Sequence, residues 1–135
     1  MVGWYGRAGL PARHPFRVVT TLLDTNILID HLEGREEAMR EIAAARPRAI
    51  SIITWIEVLS GTKSVNEQGT RAYLGAFRVV ALNDPIAERA VILRRRERLK
   101  LPDALILATA EVESMILVTR DARLASAAKH SRIPY

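Results

Sequence analysis

Asp24, Glu57, Asp103 and Asp121 are the side chains of this 135-residue chain whose types and spacing could do chemistry. Each stands close to the end of an apolar run. Asp24 closes "TTLLD" and is followed by Thr25, Asn26 and an apolar pattern that resumes at Ile27. Glu57 lies in "TWIEVLSG", three residues after Thr54, and Asp103 opens "DALILATAEVE" behind Pro102. Asp121 comes two residues after "MILVT" ends at Thr119. Four carboxylates converging on one cleft repel strongly unless a cation sits between them. Hard oxygen donors without His or Cys suit Mg2+ or Mn2+ rather than zinc. Divalent ions in such a place activate a water and stabilise the charge that gathers on a phosphodiester during in-line displacement. They also reverse the sign of a site that otherwise repels phosphate. The pattern reads as a metal-dependent nuclease.

Each acid has a structural alternative as well. Thr54-Trp-Ile-Glu57 spells a capping box, in which the glutamate bonds the amide of the N-cap residue. Asp103 in the first turn of a helix complements the macrodipole. Asp121 can cap a closing helix, and Asp-Thr-Asn at 24–26 can build an Asx turn. Asp30 reads as a residue on the solvated side of a turn. The four acids taken jointly carry the argument better than any one of them.

For the four to meet, the chain must bring distant segments to one edge. Apolar strands are expected at 17–23, 48–54, 77–82 and 115–119, with one more beginning near Ile133. Between them, 26–31 reads as a helical turn. Segments 35–45, 54–61 and 66–77 read as helices, the last weakened by Gly69 and Gly75. A longer helix follows with Asp84 as N-cap and Pro85 in the first helical position. Its inward stripe is Ile86, Ala90 and Leu93, at i, i+4 and i+7. Segment 102–113 is apolar on nearly every side and so is expected as a buried central helix. "DARLASAAKH" is the closing helix. Strands alternating with helices imply a three-layer α/β/α sandwich around a mostly parallel sheet. In such sheets the ligand site lies beyond the carboxyl ends of the strands, where all four acids fall.

The totals narrow the class. The chain holds 49% hydrophobic and 26% charged residues, the balance of an ordinary globular domain. It has no cysteine, which excludes disulfides, zinc–thiolate sites and thiol nucleophiles and fits a cytoplasmic protein. No apolar run approaches the roughly 18 residues of a membrane span, so no membrane partner is expected. The stretch "MVGWYGRAGLPARHPFR" lacks the apolar core of a secretory signal. It carries Arg7, Arg13 and Arg17 without an acid, which is three of the five net positive charges. The body of the protein is therefore almost balanced, and its high pI argues only weakly for polyanion partners. Residues 1–20 are set apart as an N-terminal extension and 21–135 as the folded domain. Three readings of the extension stay open: a disordered tail, a partner-binding arm, or a start codon placed too far upstream.

The segments "LLDTNILID", "TWIEVLSG", "KLPDALILATA" and "LVTRDARL", in that order, resemble the PIN-domain ribonucleases, and most nearly the VapC toxins of prokaryotic toxin–antitoxin pairs. The resemblance covers residues 21–135 and leaves the extension unmatched. It implies a PIN-like fold in which Asp24, Glu57, Asp103 and Asp121 bind Mg2+ or Mn2+ and carry the catalysis. Asn26 and Thr119 fall on the polar positions that support those acids. It further implies cleavage of RNA, often tRNA or rRNA, a VapB-type antitoxin whose tail enters the active-site groove, a homodimer, and operator DNA bound only through the antitoxin. Arg95, Arg98 and Arg120 are then the candidate RNA contacts, although "RRRERLK" distributes its charges around the helix as a solvated face does. His14, His31 and His130 are scattered and are given no catalytic work. Trp55 and Ile56 read as core or dimer contacts.

Two other functions compete. A haloacid-dehalogenase-like phosphohydrolase also has an aspartate at the end of its first strand, but it expects a second one two residues on, where this chain has Asn26. A catalytically silent PIN-like binding module is the other, and degenerate relatives of that kind lose some of the acids that are all present here.

Overall fold

The structure, a computed structural model, describes residues 18–135. Five parallel strands form one sheet in the order β3-β2-β1-β4-β5. These are β1 (Thr21–Leu23), β2 (Arg48–Ser51), β3 (Arg78–Val80), β4 (Ile116–Val118) and β5 (Ser131–Arg132). The helices are α1 (Thr25–Leu32), α2 (Glu36–Ala44), α3 (Ile52–Ser60), α4 (Glu67–Leu74), α5 (Asp84–Glu97), α6 (Leu101–Val112) and α7 (Ala122–Ala127). The expectation of a three-layer α/β/α sandwich holds.

The reason lies in consecutive residues that point to opposite faces. Leu22, Ala49 and Leu117 stand side by side in the register and face one way. Ile86, Ala90 and Leu93 of α5, Ala104 and Leu107 of α6, and Leu124 of α7 pack on that face, and all are buried. Leu23, Ile50 and Val118 face the other way. They are covered by Ile27 and Leu28 of α1, Ala38 and Ile42 of α2, Val58 of α3 and Leu74 of α4. Strands buried on both faces have no polar alternation to show, which is why they read as plain apolar runs.

The strands are shorter than the apolar runs, because the flanking residues turn early into helices or loops. The second ends at Ser51, whose hydroxyl accepts the Ile53 amide and starts α3 at once. This overturns the capping box: Thr54 is a buried residue inside α3, and Glu57 lies one turn beyond it on the same helix. The N-cap of α5 is Asn83 rather than Asp84, since the Asn83 side-chain Oδ1 accepts the Ile86 amide at 3.0 Å. The last strand is Ser131–Arg132, ahead of Ile133. The N-terminal extension expected at 1–20 lies outside the described residues up to position 17. Among the described residues no helix is long and apolar enough to cross a membrane.

Candidate active site

Because the strands are parallel, their carboxyl ends share one edge, and the chain leaves them there. Asp24 follows β1 directly and caps α1, its Oδ1 accepting the Thr25 amide at 2.8 Å. Thr119 follows β4, and Asp121 behind it caps α7 by accepting the amides of Arg123 and Leu124 at 3.0 and 3.2 Å. Glu57 comes up from α3, which starts where β2 ends. Helix α6 leads straight into β4 and so runs against the strands, which returns its first turn and Asp103 to the same edge.

Hydrogen bonds tie these residues together. Asp24 is 4% exposed, and its Oδ2 accepts from the Thr119 hydroxyl at 2.6 Å and from the Asn26 amide group at 3.1 Å. The Thr119 oxygen in turn accepts the Asp121 amide at 3.0 Å, so one hydroxyl links two of the acids. Thr25, which the sequence reading passed over, links another pair. Its amide meets Asp24, and its hydroxyl donates to Glu57 Oε1 at 2.7 Å. That uses its only proton, so the buried Thr54 hydroxyl, 2.9 Å away, donates to it. The spacing Thr54-x-x-Glu57 that suggests a cap in sequence places both side chains on one face of α3 instead.

The electrostatics show how near the acids are to one another. Burial pushes the Asp24 carboxyl up to about 6, against the stabilising bonds from Thr119 and the Thr25 amide, and the charges of Asp103 and Glu57 add to the rise. Asp103 is also raised, first by burial and then by the charges of Asp121 and Glu57, while Lys100 and Arg123 pull it down. Lys100, Asp103, Asp121 and Arg123 line a cleft of about 180 Å³ with Leu99 and Leu124. The four carboxylates are thus in electrical contact. Among the described residues, however, no three Asp, Glu, His or Cys side chains already converge as a ligand set. Asp24, Glu57 and Asp121 are turned instead to hydroxyl or amide partners.

The uncompensated charge has a consequence in the metal-free protein. A carboxyl that binds its proton more tightly when folded contributes stability below its unfolded value of 3.8 and loses it as the pH rises through about 6. Raising the pH from 4 to 7.5 should therefore remove roughly 2 kcal/mol from the wild type that Asp24→Asn does not lose. Urea unfolding of both proteins at several pH values measures the difference.

Two candidates sit differently from their reading. Asp30 is not solvated: it is 6% exposed and holds the Arg120 guanidinium by two hydrogen bonds of 2.6 and 3.0 Å. Arg120, a candidate RNA contact, is engaged there. Arg95 is exposed on α5, and Arg98 ends that helix in the left-handed region, its carbonyl accepting from Arg123. Trp55 packs against the α1–α4 core, whereas Ile56 is 48% exposed. His31 is bonded to the Tyr73 hydroxyl at 2.8 Å.

The PIN domain family pattern matches residues 21–130 of this chain. Ribonuclease VapC10 of Mycobacterium tuberculosis is 35% identical over 106 residues, which is 73% of this chain and 80% of that protein. A toxin–antitoxin complex from Klebsiella pneumoniae contains a chain 45% identical, superposing with a TM-score of 0.81 over 86% of this chain and 98% of that one. The FitAcB structure from Neisseria gonorrhoeae shares the fold at 22% identity, with a TM-score of 0.74 over 85% of this chain and 98% of that one.

Proposed function

The chain belongs to the PIN domain family, and from that premise we propose that it is a metal-dependent endoribonuclease of the VapC type, the toxin of a VapBC pair. One observation supports this most: four carboxylates from four segments stand at one sheet edge, the deepest of them raised to about 6 by burial and by its neighbours' charges. A carboxyl so placed lacks a countercharge, and Mg2+ or Mn2+ supplies it. The donor set fits such an ion, being all oxygen, with Asp24, Glu57, Asp103 and Asp121 as the ligands. When bound, the ion polarises a water and neutralises charge on the phosphodiester.

The chain's own residues have separate tasks in this reading. Thr119 and Asn26 donate to Asp24 and hold its carboxylate in one orientation, which leaves it less able to swing away from the ion. Thr25 does the same for Glu57. Lys100 and Arg123, beside Asp103, favour the approach of an RNA phosphate to a cleft whose acids alone repel it. The substrate is RNA, of the tRNA or rRNA class. The antitoxin is of the VapB type, and operator DNA is reached through it. The Klebsiella neighbour is described as a toxin–antitoxin complex, which supports the partner. Half-exposed Ile56 is the candidate contact for a homodimer.

Glu57→Gln separates this from a structural role. Glu57 caps no helix, and its single side-chain bond to Thr25 can be kept by the glutamine carbonyl. The expected stability change is therefore within about 1 kcal/mol, while RNA cleavage falls by about a hundredfold or more. Thermal unfolding and a single-turnover cleavage assay read the two. Normal cleavage in this variant rejects the metal role of Glu57. The haloacid-dehalogenase alternative is set aside by the family membership, and the position where it needs a second aspartate holds Asn26, a donor to Asp24. A silent binding module predicts that every RNA stays intact with Mn2+ present. Sequencing of RNA ends after induced expression decides between cleavage and silence and names the target.

A further inference from the structure

Asp30 and Arg120 form the most heavily bonded ionic group among the described residues, and the proposed reaction has no direct use for it. Asp30 belongs to α1. Its Oδ2 accepts from Arg120 Nε at 2.6 Å and from the Tyr135 hydroxyl at 2.7 Å, and its Oδ1 accepts from Arg120 Nη2 at 3.0 Å. Arg35 Nη1 lies 3.7 Å away, and its guanidinium stacks on the Tyr135 ring at 4.4 Å. Burial opposes the charge of Asp30, but the bonds from Arg120 and Tyr135 overcome it and hold the carboxyl below its usual value. A buried ion pair is poor evidence of stability, because desolvation offsets much of its attraction. Its place in the chain is more telling.

Arg120 stands between Thr119 and Asp121. Its backbone amide donates to Asn26 Oδ1 at 3.2 Å. Only the carbonyl oxygen of Asn26 can meet that amide, so the NH2 group is turned toward Asp24 at 3.1 Å and Thr119 at 3.3 Å. One peptide segment therefore delivers the Thr119 hydroxyl to Asp24, orients Asn26, and sets Asp121 at the start of α7. The two-bond fork to Asp30 fixes that segment against α1, the helix that Asp24 itself caps. A bidentate guanidinium–carboxylate pair sets direction as well as distance, as a single ammonium cannot.

We propose that Asp30 and Arg120 are positioning residues for the carboxylate site: their fork holds the segment 119–121 in the one placement that lets Thr119 and Asn26 meet Asp24. This rests on the metal-dependent reading for its catalytic consequence, though not for its structural one. The variants Asp30→Asn, which keeps shape but removes charge, and Arg120→Lys, which keeps charge but removes the fork, test it in the full chain. Tyr135→Phe, which leaves the fork intact, is the control.

In the metal-free protein, hydrogen exchange at the Arg120 and Asp121 amides should speed up about tenfold in both variants, relative to Ile50 in β2. With Mn2+ alone as the ligand, calorimetry should show affinity about tenfold weaker, as for lost partners of ligating carboxylates. For an RNA oligonucleotide kcat should fall in step, with KM within about twofold of wild type, and Tyr135→Phe should resemble wild type throughout. Melting curves set the assay temperature below the transition of each variant, and Arg120→Lys decides alone if Asp30→Asn does not fold. A lower melting temperature with unchanged exchange and Mn2+ affinity overturns the proposal, leaving a stabilising pair. A raised KM in Arg120→Lys with normal Mn2+ binding and exchange also overturns it, and makes Arg120 an RNA contact. A wild type that binds no Mn2+ defeats the metal reading instead, and the exchange rates then decide the positioning role by themselves.

Discussion

Asp24→Asn is expected to lower RNA cleavage by about a thousandfold or more, a loss of roughly 4 kcal/mol of transition-state stabilisation. The same change should abolish growth arrest when the protein is expressed without an antitoxin. The size follows from where Asp24 stands. It is 4% exposed, it accepts three side-chain and backbone bonds, and it feels the charges of both Asp103 and Glu57. No other carboxylate of the four has this combination, so none can take over its place beside an ion. Asparagine removes the charge with little change in shape. It also sets an NH2 group where one oxygen accepted hydrogen bonds, a mispairing that costs about 1–3 kcal/mol and is offset by removal of a charge that burial disfavours. The variant should therefore fold, with a native circular-dichroism spectrum and a cooperative melt. Cleavage at wild-type rates by a folded Asp24→Asn protein refutes the assignment.

Removal and return of the metal should have an effect as large. After chelation the protein is expected to leave RNA intact, and added Mn2+ or Mg2+ should restore cleavage in full. The same addition should raise stability, because an ion that binds only the folded chain stabilises it by mass action. At a hundred times its dissociation constant the gain is about 2.7 kcal/mol. For a domain of this size that corresponds to a rise in melting temperature on the order of 8 °C. The rise should be largest above pH 6, where Asp24 is ionised and repelled by its neighbours, and should shrink as protons occupy the carboxyl. In Asp24→Asn it should nearly vanish. Cleavage that survives chelation, or a melting temperature indifferent to Mn2+, contradicts the account.

The layered sheet and the edge on which the acids lie could be read in advance because both follow from patterns that repeat. Apolar runs bounded by helix starts permit few arrangements, and a residue just past a strand in a parallel sheet has only one edge to occupy. What could not be read depended on contacts across the chain. Thr25 looks like a turn former until Glu57, 32 residues away, is found to accept its hydroxyl proton. Asp30 looks like surface because its three cationic and hydroxyl partners, Arg35, Arg120 and Tyr135, come from three separate segments. The spacing of Thr54 and Glu57 fits a capping box and one face of a helix equally well. Only the short second strand, ended by the Ser51 cap, decides between them. Strand and helix ends fall a few residues from where the sequence pattern puts them for the same reason: a side chain such as Asn83 competes locally for the cap beside Asp84.

The pairing of Asp24 with Thr119 and Asn26 gives the site a graded character. Its deepest carboxylate is fixed, whereas Asp121 lies at the exposed rim and Glu57 on a helix flank.

A crystal of the protein soaked in Mn2+ and measured for anomalous scattering puts the shared-ion claim to the most direct test. The account requires a peak at the carboxyl edge of the sheet, about 2.1 Å from an oxygen of Asp24 and in the coordination sphere of at least one of Glu57, Asp103 and Asp121. A peak bound elsewhere, or none at a Mn2+ concentration that supports cleavage in solution, contradicts it.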